Sequence, residues 1–239
     1  NRGWSAGEGF YGRGMRISER LTMVRFGVSQ AYLWPDGDEL TLIDAGQAGD
    51  DAAIADAVRG LGLGTDSIRR VVLTHGHNDH AGGAAAVRSW HGASVLAHQA
   101  DAPLVRGLVG PPTPVLAEWE RPLYDSVVPS VAAAPPCAVD QELAGGEILD
   151  FGGGARVVPV AGHTPGSVAI HLPEHGVLFC GDTVAEFQGR VMLGVFNADP
   201  DQALESLRGQ AALDVDIACF GHGDPVVGNA GSALRAVAG

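Results

Sequence analysis

The chain has 239 residues, 46% hydrophobic and 18% charged, enough to bury a full core within one large α/β domain spanning 1–239. Its formal charge of −13 repels phosphate backbones, and all 15 basic residues are arginines, scattered singly or in the pair Arg69-Arg70, which argues against nucleic acid as a partner and excludes Schiff-base or lysine-base chemistry. No stretch approaches the roughly 18 to 20 uninterrupted apolar residues that cross a bilayer, so no membrane partner is expected.

Residues 1–14 combine five glycines with Trp4, Phe10 and Tyr11 and read as an irregular arm. Three β-like runs follow, RISERLTMVRFG, SQAYLWP and ELTLIDAG, with a hairpin signal at Pro35-Asp36-Gly37-Asp38. Asp50 to Leu61 has acidic residues at its start, apolar residues at helical spacing and a glycine-rich exit, which predicts an amphipathic helix. IRRVVLTHG is a buried strand, His80 to Trp90 a helix, and SVLAHQ a strand. Residues 107–140 hold seven prolines without steady periodicity and read as a partly helical, cap-like insertion. The β rhythm returns in EILDF, ARVVPVAG, SVAIHLP and GVLFCGD, before a helix from about Pro200 to Leu213, the strand VDIACFGH and a short terminal helix.

Cys180 and Cys219 lie inside apolar runs, so they and Cys137 read as buried reduced thiols. That fits a cytoplasmic location, although a chain starting at Asn1 without an initiator methionine allows for a processed leader. His91, His98, His171 and His175 receive no role; the last two flank a turn at Pro173-Glu174 and read as solvated.

The strongest chemical signal is Thr74-His75-Gly76-His77-Asn78-Asp79-His80, four potential metal ligands in six residues between a strand and a helix. Three further strand exits repeat the chemistry: Gly162-His163-Thr164, Gly181-Asp182-Thr183 and Gly221-His222-Gly223. One histidine in such a turn is ordinarily structural. All of them in one chain point to a metal centre.

This ordered set, HxHxDH followed by a lone His, a lone Asp and a final His, resembles the metallo-β-lactamase superfamily from the LIDAG run to His222. The resemblance implies an αββα four-layer sandwich of the α/β class. It further implies one metal on His75, His77 and His163, a second on Asp79, His80 and His222, and Asp182 bridging them. The cofactors implied are two divalent ions, Zn2+ first, with Fe or Mn as alternatives. Their bridging hydroxide would attack an ester, lactone or thioester carbonyl. Asp79 is a candidate proton shuttle, and Asp44, in LIDAG, is the family's orienting aspartate.

Loops leaving the metal-bearing strands offer wall candidates for a substrate pocket: Phe187, Gln188, Arg190, Met192 and Phe196, joined by Trp119 and Tyr124 from the cap. Apolar walls with one arginine suit a small acyl or lactone substrate carrying an anionic group. Met192 and Phe196 read equally well as core. The exposed aromatics of arm and cap leave a homodimer open.

Among relatives of this fold, zinc β-lactamases usually lack the bridging aspartate. Glyoxalase II-like thioesterases share all seven ligands but add a C-terminal helical extension for glutathione, and here 17 residues follow His222. The resemblance is therefore to the glyoxalase II-like or lactonase-like branch, and glutathione thioesters are expected to be disfavoured. The alternatives are β-lactam hydrolysis, a mononuclear iron persulfide dioxygenase using His75, His77 or its neighbour, His163 and Asp182, and, last, a non-catalytic metal-stabilised sensor.

Overall fold

A computed structural model describes residues 14–239. The expected arm over residues 1–14 falls almost entirely outside them. Seven strands form the first sheet in chain order: β1 (Met15–Ser18), β2 (Leu21–Arg25), β3 (Gln30–Asp36), β4 (Glu39–Ile43), β5 (Ile68–Val72), β6 (Ser94–His98) and β7 (Gln141–Leu143). The first four pair antiparallel and the last four parallel. The run expected as one strand over RISERLTMVRFG is a hairpin, because the chain turns at Glu19-Arg20 and Ser18 pairs with Leu21.

The second sheet begins with β8 (Ile148–Leu149), β9 (Ala155–Pro159), β10 (Val168–Leu172) and β11 (Val177–Phe179). A two-stranded ribbon, β12 (Val184–Phe187) and β13 (Arg190–Leu193), then leaves it, and the sheet resumes with β14 (Ile217–Cys219) and β15 (Val226–Val227) in the order β15-β14-β11-β10-β9-β8.

The period-two alternation of these strands sorts their side chains into layers. On β3, Tyr32 and Trp34 face the second sheet, and meet Phe151, Val157, Ile170, Leu172 and Phe179 in the core between the sheets. Ala31 and Leu33 face the opposite way, into a core with Ile54, Val58 and Val87. Those residues belong to α1 (Asp51–Gly60) and, beyond the short α2 (Asn78–Ala81), to α3 (Ala84–His91). The helix expected over His80–Trp90 is thus two, divided at Gly82-Gly83, where a Cβ on Gly83 would stand 2.1 Å from the Ala45 carbonyl oxygen.

Of two shorter helices, α4 (Ala102–Val105) precedes the proline-rich stretch 107–140 and α5 (Arg121–Val127) lies inside it, so that the stretch is partly helical. On the outer face of the second sheet, Ala169, Leu178 and Ala218 pack against Leu207 and Ala211 of α6 (Pro200–Ala211) and Leu234 of α7 (Ala230–Ala238). Three cores between helices, sheet, sheet and helices make the αββα sandwich. Trp34 and Phe179, both fully buried, anchor the middle one, and burying an aromatic of that size contributes about 2 to 3 kcal/mol.

Cys137, Cys180 and Cys219 are buried free thiols, as expected. His171 is not solvated: it sits on β10, 5% exposed, its Nε2 3.2 Å from the Asp214 carbonyl oxygen. Its neighbours in the strand alternate with it in a sheet covered on both faces, which the nearby turn residues concealed. Among the described residues no helix is long and apolar enough to cross a membrane.

Candidate metal centre

Strands β4, β5 and β6 run parallel, so their C-terminal ends share one edge of the first sheet. β11 and β14 do the same in the second. The functional residues follow strand ends: Asp44 after β4, His75 to His80 after β5, His163 after β9, Asp182 after β11 and His222 after β14. The turns bring all seven expected ligands together, and their side-chain atoms form overlapping groups, each gathered within 4.8 Å: His75, His77 and His163; His75, His80 and Asp182; Asp79, His80 and His222.

Asp182 sits between the two outer groups. Its Oδ2 lies 3.9 Å from His75 Nε2, 3.5 Å from His163 Nε2 and 3.0 Å from His222 Nε2, and its Oδ1 lies 3.3 Å from His80 Nε2. Asp79 Oδ2 reaches the second group at 3.5 Å from His80 Nε2 and 3.4 Å from His222 Nε2. Gly221 admits this crowding, since a Cβ there would meet Asp182 Oδ1 at 1.9 Å.

The electrostatics divide the site. Burial, then neighbouring positive charge, holds His75 well below the ordinary histidine range, burial lowers His77, and burial with His77 nearby brings His163 down to about 4. These three are neutral imidazoles near pH 7, with His163 Nε2 and His77 Nδ1 sharing a hydrogen bond at 2.9 Å. On the other side burial also opposes charge, but Asp182 and Asp79 outweigh it: His80 is raised well above its usual value and His222 to about 9. The same attraction overcomes burial to hold the Asp79 and Asp182 carboxyls well below the carboxylate range.

These residues fit a pair of divalent cations. His75 Nε2 and Asp182 Oδ1 are buried without a hydrogen-bond partner, an arrangement that is costly unless a cation completes it. Two anionic carboxylates among imidazoles also make a donor set of the zinc type.

Asp44 stands where the sequence placed an orienting aspartate. It is 3% exposed, takes a left-handed φ of 58°, and accepts from the Thr74 N–H and Thr74 hydroxyl, both at 2.8 Å. Its Oδ2 also lies 3.0 Å from His80 Nδ1, which turns His80 Nε2 toward Asp79 and Asp182. Such φ values are strained for a residue with a Cβ, and three contacts hold this one in place. The Val28 carbonyl oxygen plays the same part for His222, 2.6 Å from its Nδ1.

The expected pocket walls divide into two places. Phe187, Gln188, Arg190 and Met192 form the β12–β13 hairpin instead of an irregular loop, with Gln188 at φ 53° in its turn and Phe187 42% exposed. The hairpin hangs beside the centre: the Glu186 N–H donates to the His222 carbonyl oxygen at 3.1 Å. Phe196 and Tyr124 instead touch each other, ring centroids 5.2 Å apart, while Trp119 is 61% exposed.

Within the 107–140 stretch, buried Glu120 accepts from the Ala117 and Phe196 N–H groups at 2.7 and 3.1 Å. Farther along the stretch, the Ala134 N–H donates to Asn78 Oδ1 at 3.2 Å. Sequence reading missed Glu120 and also Asp101, a 2% exposed carboxylate between the His77 and His163 turns. Each looks like the acidic residue that opens a short Pro-containing helix, and only the fold shows what it binds.

A family model described as the metallo-beta-lactamase superfamily matches residues 24–222. A hydroxyacylglutathione hydrolase of Ruegeria pomeroyi is 31% identical over 85% of this chain and 66% of its own length. Another, of Anaeromyxobacter dehalogenans, is 35% identical over 64% of this chain and 45% of its own. The chain thus spans about half to two thirds of the length of these curated relatives. Among solved structures, a metallo-beta-lactamase from Cronobacter sakazakii superposes with a TM-score of 0.68 at 23% identity, covering 88% of this chain and 80% of that one, a likeness of fold alone. A metallo-beta-lactamase family protein from Thermus thermophilus gives 0.67 at 25% identity, covering 91% and 76%.

Proposed function

The chain belongs to the metallo-beta-lactamase superfamily, and from that premise we propose that it is a hydrolase using two divalent metal ions, Zn2+ first, to cleave an ester, lactone or thioester. The reading rests above all on one observation: two ligand groups that share the neighbourhood of Asp182, whose Oδ1 is buried and without a hydrogen-bond partner. His75, His77 and His163 hold one ion, Asp79, His80 and His222 the other, with Asp182 between them. The ions, when bound, activate water near neutral pH and polarise the substrate carbonyl.

The chain's own residues do the rest. Asp44 and the Val28 carbonyl fix the rotation of His80 and His222, so that no reorientation accompanies the reaction. Asp79 is 16% exposed, and its carboxylate would take the proton released by the attacking water and pass it to the leaving group as the acyl bond breaks. The cap and the β12–β13 hairpin flank the opening and take a small acyl or lactone substrate, while the net charge of −13 disfavours polyanions such as nucleic acid.

The test is a panel of thioester, lactone, ester and β-lactam probes, S-lactoylglutathione among the thioesters, assayed with and without chelator. The account expects turnover of a carbonyl substrate that chelation removes and added Zn2+ restores. Turnover indifferent to chelation would count against it.

A further inference from the structure

Asp101 lies outside the seven-ligand set, yet it is 2% exposed and immediately precedes α4. From that position an aspartate ordinarily accepts N–H groups of its own helix. Asp101 makes no such cap. Its Oδ2 accepts from the Gly76 N–H at 2.8 Å and the Thr164 hydroxyl at 2.7 Å, and its Oδ1 from the Gly166 N–H at 2.8 Å. Gly76 stands between His75 and His77, and Thr164 follows His163. One carboxylate therefore joins the two turns that carry the three neutral imidazoles.

The junction is tight and specific. A Cβ on Gly166 would stand 2.4 Å from Asp101 Oδ1, so only glycine fits there. The Thr164 hydroxyl, donating to Asp101, is also 2.9 Å from Ser167 Oγ, which in turn accepts from the Thr164 N–H at 3.0 Å. A buried carboxylate costs free energy unless its lone pairs are filled, and three donors from two separate turns fill these. Asp44 touches a ligand ring directly, whereas Asp101 acts through two backbone N–H groups and the Thr164 hydroxyl.

We propose that Asp101 is a positioning residue that fixes the spacing of the His75–His77 turn against the His163 turn, so that the three-imidazole group is set for a cation before one binds. The proposal rests on the reading that this group holds an ion.

The test is a Zn2+ titration against a chelating dye for the wild type, Asp101→Asn, Thr164→Val and Thr164→Ser, repeated in a His222→Ala background that breaks the Asp79, His80 and His222 group and leaves the three-imidazole group intact. Thr164→Val removes one hydroxyl from a side chain of the same shape and serves where Asp101→Asn does not fold. The wild type is expected to take up two ions. Asp101→Asn and Thr164→Val should weaken one of them about 10- to 100-fold, the size usual for a lost outer-shell contact, and Thr164→Ser should restore it. The loss should persist in the His222→Ala background. Wild-type affinity in both variants overturns the proposal, and so does equal weakening of both ions, which marks general loosening. A wild type that binds no Zn2+ removes the dinuclear reading itself, and this inference with it.

Discussion

The two halves of the centre sit side by side and share Asp182, but they prepare for a cation in opposite ways. His75, His77 and His163 are kept neutral by burial and present lone pairs. Asp182 and Asp79 raise His80 and His222 against burial, which favours their protonated forms in the metal-free protein. A first ion entering the imidazole half meets little competition near pH 7, whereas one entering the carboxylate half must displace protons. The same ligand types thus give a half that is ready for metal and a half that exchanges charge for it, according to how many carboxylates stand nearby.

The strongest way to break this comparison is to remove the residue both halves share. Asp182→Ala should bring turnover down to background and leave fewer than two ions per chain by elemental analysis. Asp79→Asn acts on one half only. If Asp79 carries the leaving-group proton, turnover should stay about 10²- to 10⁴-fold down even where added Zn2+ restores two ions per chain; full activity at full occupancy would remove that role. Asp44→Asn is milder again, since it removes no ligand and disturbs chiefly the orientation of His80. It should weaken the ion of the carboxylate half about 10- to 100-fold and the other less, because Asp44 reaches His75 only through the Thr74 hydroxyl.

The two halves should also differ in the pH dependence of the metal-free protein. His163, buried and lowered from 6.5 to about 4, protonates more readily in the unfolded chain, so its contribution is present above pH 6.5 and lost as pH falls toward 4. At about 1.4 kcal/mol per pH unit this is on the order of 3 kcal/mol. His222, raised from 6.5 to about 9, contributes below 6.5 and loses that contribution as pH rises through 9. Thermal unfolding of chelator-treated protein should therefore show both flanks. His163→Gln should flatten the acid flank and His222→Gln the alkaline one.

The candidate ligands were legible because they are dense and stand at strand exits, where a motif of six residues and three short turns can be recognised without knowing the fold. The strands and helices were legible through their periodicity, and their arrangement in four layers through the family resemblance that the motifs carry. Residues whose meaning depends on distant partners were not. Asp101 binds groups 25, 63 and 65 positions away, and Glu120 binds Phe196 76 positions away. His171 was misread because turn residues nearby outweighed its place in a strand buried on both sides. The β12–β13 ribbon was missed because its turn, Gln188-Gly189, lacks the usual Asn-Gly or Asp-Gly hairpin signal.

The most direct test of the account is the metal content of untagged protein purified without added metal, measured by elemental analysis alongside hydrolysis of the probe panel. The account predicts about two divalent ions per chain, zinc first, and turnover that disappears with them. A single iron per chain, oxygen consumption and no hydrolysis would contradict it.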